Sequence, residues 1–238
     1  MQTANLLLLQ LIAHLLADYT FQTKKMALNK DRKGFRGKML KWHILIVFSA
    51  SAILGFDWYY LPFAAIIALT HWVIDGCKPL LLKNRSTAPY AFFIDQGLHL
   101  LILTMIVLLY TFNFDWQPIG HKFMSTFTLS AVAVFLFCTK PANFFIKEIF
   151  NAFGIYFEGG EEDLPNAGRL IGIIERWLVL IFILSGQFAA VGFLIGAKSI
   201  LRFKETSFLK TEYVLVGTLL SFGIAVVLGI LLKKLGVH

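Results

Sequence analysis

Three apolar stretches of this chain each carry a histidine and an aspartate four positions apart: His14-Leu-Leu-Ala-Asp18, His71-Trp-Val-Ile-Asp75 and Asp95-Gln-Gly-Leu-His99. Residues four apart share one helix face, with Cβ atoms about 5–6 Å apart. Each stretch therefore offers an imidazole and a carboxylate to one cation or to two neighbouring ones, as the H-E-x-x-H pattern does in zinc proteases. A fourth apolar stretch opens with His43. Mixed His/Asp ligation favours Zn foremost, with Mn, Fe or Co next, over Ca or Mg. The expected ligands are His14, Asp18, His71, Asp75, Asp95 and His99, for one or two divalent ions. His43 is a seventh ligand or the general base. Two ions about 3.5–4 Å apart activate water and clamp a phosphoryl or acyl oxygen.

The elements that position these residues follow from composition. Of 238 residues, 58% are apolar and 15% charged, and 24 are Phe. Soluble domains run at roughly 45–50% and about 25%. Mean hydropathy is +0.71. These values exclude a disordered chain, a disulfide scaffold and a repeat array, and imply an all-α, polytopic helical membrane protein. Net charge is +8. In an apolar chain this reads as basic loops on the cytoplasmic side, not as a nucleic-acid partner. The N-terminus has no basic n-region and no A-x-A site, so its first helix is expected to be retained. Cys77 and Cys138 form no C-x-x-C pattern, which argues against a disulfide framework and a thiolate zinc site.

A bilayer core of about 30 Å needs roughly 20 mostly apolar residues per helix. Spans are expected at about 4–22, 39–56, 60–78, 91–112, 123–139 and 212–232. A longer apolar stretch, 168–203, has a candidate break at Ser185-Gly186-Gln187, giving six or seven spans. Between the first two lie eight Lys or Arg residues, from Lys24 to Lys41, against one acid, Asp31. That loop is expected in the cytoplasm and the N-terminus outside. On this topology the three Asp lie nearer the cytoplasm, and their His partners lie about 6 Å deeper, at about 1.5 Å per residue. His43 joins the same layer. His121 and His238 fall in a loop and at the C-terminus.

The expected organisation is a four-helix bundle over 1–112, a fifth helix and amphipathic segment over 113–165, and C-terminal spans over 166–238. Apolar residues at 145, 146, 149, 150 and 153 make one stripe, suited to the membrane interface or to packing on neighbouring helices. An acidic turn, Gly159-Gly160-Glu161-Glu162-Asp163, follows. Gly168-x-x-x-Gly172 and Gly192-x-x-x-Gly196 suggest close helix contacts. Glu175, Arg176, Lys198 and Arg202 read as a charged packing network.

Three polar residues lie near the cluster. Gln22 is one turn beyond Asp18, Gln96 adjoins Asp95, and Lys78 follows Asp75 by three. Lys78 suits a carboxylate partner, a substrate phosphate or a lysine snorkelling to headgroups. The run His14-x-x-x-Asp18-Tyr-x-x-Gln22, then His43, His71-x-x-x-Asp75-x-x-Lys78 and Asp95-Gln96-x-x-His99 resembles an uncharacterised bacterial family of integral membrane proteins with an N-terminal domain of unknown function. That resemblance implies a bacterial inner-membrane protein but no settled activity. A looser similarity is to bacterial membrane-bound metal-dependent hydrolases, which also place His and Asp in apolar helices.

Ionisable residues inside a membrane helix cost about +2.5–3.5 kcal/mol each on insertion scales and mark function by default. The leading expectation is a metal-dependent hydrolase near the cytoplasmic leaflet, acting on a lipid or amphiphile through metal-bound water. A divalent-cation or proton transporter would use the same residues. A membrane anchor or sensor would keep the cluster as a packing device.

Overall fold

The computed structural model describes residues 2–118, 125–155, 167–202 and 208–236. His121, His238 and the acidic turn at 159–163 lie outside the described residues. Every regular element among the described residues is helical, and the chain is an all-α polytopic membrane protein. Five helices are long and apolar enough to cross a membrane, and a sixth crossing is made if a bent pair counts as one. Among the described residues length and composition thus give five or six crossings, meeting the lower end of the six or seven expected.

The chain forms two compact units, Met1–Ala133 and Val134–His238. The first opens with α1 (Gln2–Leu15), which continues as a π-helical turn, Leu16–Phe21. A ten-residue helix, α2 (Lys24–Lys33), follows. Three long helices complete the bundle: α3 (Lys38–Gly55), α4 (Leu61–Lys83) and α5 (Ala91–Asn113). Their bounds lie close to the expected spans because each is an unbroken apolar run between polar or Gly/Pro-containing turns. α1 packs on α3, α3 on α4, α4 on α5, and α5 back on α1, so the four close into a ring.

The stretch expected as a basic loop is instead α2, packed on α3 and α4. The Thr23 side chain caps its start by accepting from the Met26 N–H. Gly34 ends it at φ +51°, ψ −129°, a region open essentially to glycine alone. A Cβ at Gly34 would stand 2.4 Å from the Gly76 carbonyl, and one at Gly76 would stand 2.2 Å from the Phe35 ring. These two glycines let the end of α2 lie directly on α4. Pro79 sits inside α4 and has no N–H for the Asp75 carbonyl one turn back.

At the opposite end of the bundle Asp57 accepts from Tyr59 N–H, Tyr110 Oη–H and Gln117 N–H. Trp116 Nε1 donates to the Gly55 carbonyl. Together they tie the α3–α4 turn to the end of α5.

The second unit contains α7 (Lys140–Ala152), α8 (Ala167–Leu184), α9 (Phe188–Arg202) and α10 (Phe208–Gly236). The expected fifth span is α6 (Thr126–Phe137), bent by 51° from α7. Gly186, at φ +75°, breaks the long apolar stretch where Ser185-Gly186-Gln187 suggested. Arg176 is buried and donates to the Cys138 and Thr139 carbonyls, to Asn143 Oδ1 and to Ser221 Oγ. Lys198 pairs with Glu175, so these charges do serve packing. Among the described residues the expected glycine contacts are mostly absent: added Cβ atoms at Gly168, Gly192 and Gly196 would meet nothing within 4 Å, whereas one at Gly172 would lie 3.7 Å from Asn143 on α7 and Gly229 sits against Ile183. Spacing identifies a small-residue face but not whether a neighbour fills it.

Gly34→Ala should therefore undock α2. The strained backbone costs about 1–3 kcal/mol, read as a lower midpoint in thermal unfolding in detergent. Gly97→Ala, in open space on α5, should be neutral or slightly stabilising.

Candidate metal centre

All six of the expected ligands and His43 come together inside the α1–α3–α4–α5 ring. His14, His43, His71, His99, Asp75 and Asp95 are all buried. The imidazoles form one layer. His71 stacks on His99 with centroids 3.9 Å apart, and His14 lies 5.8 Å from His71 and 5.6 Å from His99. The His43 ring meets His71 edge-on at 5.1 Å.

Four donor atoms, from the π-helical turn, α3 and α4, cluster around the His43–His71 contact. His43 Nε2 and His71 Nε2 are 3.1 Å apart. His43 Nε2 lies 3.5 Å from Asp18 Oδ1 and 3.4 Å from Asp75 Oδ2. His71 Nε2 lies 3.4 Å and 3.5 Å from the same two oxygens. A tetrahedral ion with bonds of about 2.0–2.1 Å holds its ligand atoms about 3.3–3.4 Å from one another. These five separations scatter around that edge length. Two facing Nε2 atoms must share either a proton or a cation, since two lone pairs at this distance repel.

The π-helical turn contributes to this. Asp18 lies within it, where the wider i→i+5 winding changes its direction relative to a regular helix. His14 and Asp18 stand 3.9 Å apart, as His99 and Asp95 stand 4.0 Å apart in the regular α5, too long for a direct hydrogen bond. His14 Nε2 instead meets Gln96 Oε1 at 3.1 Å. An amide oxygen only accepts, so His14 Nε2 donates in this bond.

Gln96 is a junction. Its oxygen also accepts from Tyr19 Oη–H at 3.0 Å, and its nitrogen donates to Asp95 Oδ2 at 3.1 Å and Asp18 Oδ2 at 3.4 Å. The Gln22 amide nitrogen lies 3.1–3.2 Å from both ring nitrogens of His43. Lys78 Nζ donates to Asp95 Oδ2 at 3.2 Å and pairs with Asp31 at 3.5 Å.

Lys30 is the residue that sequence reasoning missed. It reaches in from α2 at 3% exposure, and its ammonium donates to both oxygens of Asp75, itself 0% exposed, at 2.8 and 2.9 Å. Burial alone would lower the Lys30 pKa, but the Asp75 and Asp18 carboxylates outweigh it and hold the ammonium above its ordinary range. The usable signal was a ten-residue helix between the Thr23 cap and Gly34. On it, Met26 and Lys30 fall four apart on one face.

Two features mark sites for something further. Asp18 Oδ1, Asp95 Oδ1 and both ring nitrogens of His99 are buried without a hydrogen-bond partner, which is costly unless a ligand or water answers them. A cavity of about 20 Å³ lies against His14, His71 and His99, with Gln10, Ser51 and Thr70 on its wall. That is room for about one water. Gln10 and Ser51 bond to each other there, with Ser51 Oγ donating to Gln10 Oε1 at 2.6 Å.

The chain belongs to the family described as a protein of unknown function, DUF3307, whose model matches residues 6–127. The matched region contains every residue of the cluster. No curated protein and no solved structure matches the chain.

Breaking a buried ion pair from one side leaves an uncompensated charge and costs about 3–5 kcal/mol. Lys30→Met should therefore destabilise metal-free protein by that amount in thermal unfolding. The double change Lys30→Met with Asp75→Asn should recover most of the loss.

Proposed function

We propose that this protein is a membrane-embedded, metal-dependent hydrolase. Asp18, His43 and His71 hold a divalent transition ion, Zn foremost, with Asp75 closing the set. The observation that carries this reading is that five separations among four buried donor atoms, delivered by the π-helical turn, α3 and α4, match the edge of a tetrahedral ion. Three helices that each gave one hydrogen-bonded His/Asp pair would not need to converge on one point.

A bound ion would supply Lewis acidity toward an acyl or phosphoryl oxygen and would acidify water. The chain's own residues do the rest. Gln22 orients His43, and Gln96 orients His14 and Asp18, as outer partners of metal ligands do. Lys30 fixes Asp75. We assign the general base to His99. Its ring nitrogens have no partner and it lines the water-sized cavity, whereas the His43 Nε2 faces the donor set.

The substrate we propose is a lipid or other amphiphile, because the site lies within apolar helices. α2, Lys83 and Arg85 place basic residues at one end of the bundle. By the positive-inside rule that end faces the cytoplasm, with the N-terminus outside, in a bacterial inner membrane.

One observation favours a second reading, transport of a divalent cation or protons. The Gln10–Ser51 pair continues the polar lining past the imidazole layer, away from α2.

Elemental mass spectrometry on detergent-purified protein tests the shared premise. At least one equivalent of transition metal is expected, and Asp18→Asn should lose it. A folded wild type that takes up no metal after loading rejects both metal readings. Proteoliposomes then separate hydrolysis from transport. Cleavage of bilayer ester or phosphoester lipids supports the hydrolase. Ion or proton flux without cleavage selects the transporter.

A further inference from the structure

Beside the proposed ion position lies a second set of candidate ligands, Asp75, Asp95 and His99, whose donor atoms all fall within 4.8 Å of one another. Two lysines already occupy its carboxylates. Lys30 Nζ takes both oxygens of Asp75, and Lys78 Nζ takes Asp95 Oδ2. They come from different elements, α2 and α4, and converge on adjacent carboxylates. Asp95 Oδ1 and the His99 nitrogens keep lone pairs there, but a divalent ion among these ligands would stand beside both ammonium groups, and like charges at that range repel.

We propose that Lys30 and Lys78 are internal cations standing where a second metal would bind, so that the centre is mononuclear. The inference rests on the metal reading above and fixes its stoichiometry. Charge supports it. Four carboxylates, Asp18, Asp75, Asp95 and the half-buried Asp31, face two ammonium groups. With neutral imidazoles the cluster carries two net negative charges, and Asp18 is the carboxylate without a lysine. One divalent ion brings this to neutrality. Two ions would leave two uncompensated positive charges inside a membrane bundle, where each unpaired charge is costly.

Asp75 serves both sides. Its Oδ2 accepts from Lys30 and faces the two imidazole nitrogens. An ionised carboxylate oxygen has lone pairs for two partners. α2 is thus part of the centre: Gly34 seats it on Gly76, one residue from Asp75, and Lys30 reaches down from it.

Zinc titration with elemental analysis tests this on the full-length protein in detergent. Wild type should saturate at one equivalent, and Lys30→Arg should also, because the charge remains. Lys30→Met/Lys78→Met should saturate at two, and zinc should raise its unfolding midpoint more than that of wild type. With cobalt in place of zinc, the double variant should show magnetic coupling between two ions and wild type should not. Wild type binding two equivalents with both lysines present overturns the proposal, as does a folded double variant that stays at one. If the double variant does not fold, Lys78→Met alone frees Asp95 while Lys30 keeps α2 docked. A second, weaker zinc site is then expected, and a stoichiometry held at one overturns the proposal. Wild type binding none fails the metal reading itself, a different result from either.

Discussion

A carboxylate with no solvent exposure must be answered by positive charge, and in this protein Asp75 is answered by Lys30. The effective penalty for burying each ion is several kcal/mol. Asp75 sits among apolar helices with both oxygens held by one ammonium. Much of the first unit follows from that pairing. Lys30 is a long side chain on a short helix, so α2 must lie close over the bundle. α2 can lie there because Gly34 leaves room for the Gly76 carbonyl and Gly76 leaves room for the Phe35 ring. The eight basic residues between the first two spans therefore serve two ends: most stay at the surface, and one is drawn inside.

The backbone departs from regular helix where the cluster needs it. α1 winds as a π-helix through Asp18, and α4 carries Pro79 one turn past Asp75. The wider turn re-aims Asp18, and its Oδ1 meets His43 and His71 from neighbouring helices. Gln96 bonds His14 on one side and two carboxylates on the other. Local irregularity converts three separate couples into one connected group.

The four spans of the bundle were legible because apolar runs of the right length leave few alternatives. The convergence of His14, His71 and His99 was legible because the order His-Asp, His-Asp, Asp-His matches helices that alternate in direction. Gln22, Lys78 and Gln96 were placed near the cluster by spacing alone, and each touches a cluster residue. Lys30 was not legible. In sequence it is one lysine among many, and only the docking of α2 distinguishes it from Lys24 or Lys33. The glycine pairs of the second unit show the same limit. A small-residue spacing is a permission for contact, and whether a neighbour uses it depends on packing that no local pattern records.

A packing device and a ligand-binding centre make different demands on polar atoms. A device that fastens helices gains most when each donor meets an acceptor, as Asp57 does with three donors at the far end of the same bundle. The imidazole layer is built otherwise. His99 has no hydrogen-bond partner among the described residues, and Asp18 and Asp95 each keep an oxygen unanswered. Unanswered polar atoms cost about 1–3 kcal/mol apiece. At the Asp57 end Tyr60 Oη is the comparable atom, so the shortfall falls mainly on the centre. Selection for stability alone would have closed the centre as it closed Asp57. Open valences gathered at the centre are what a bundle needs if its end fastens the helices and its middle receives a ligand.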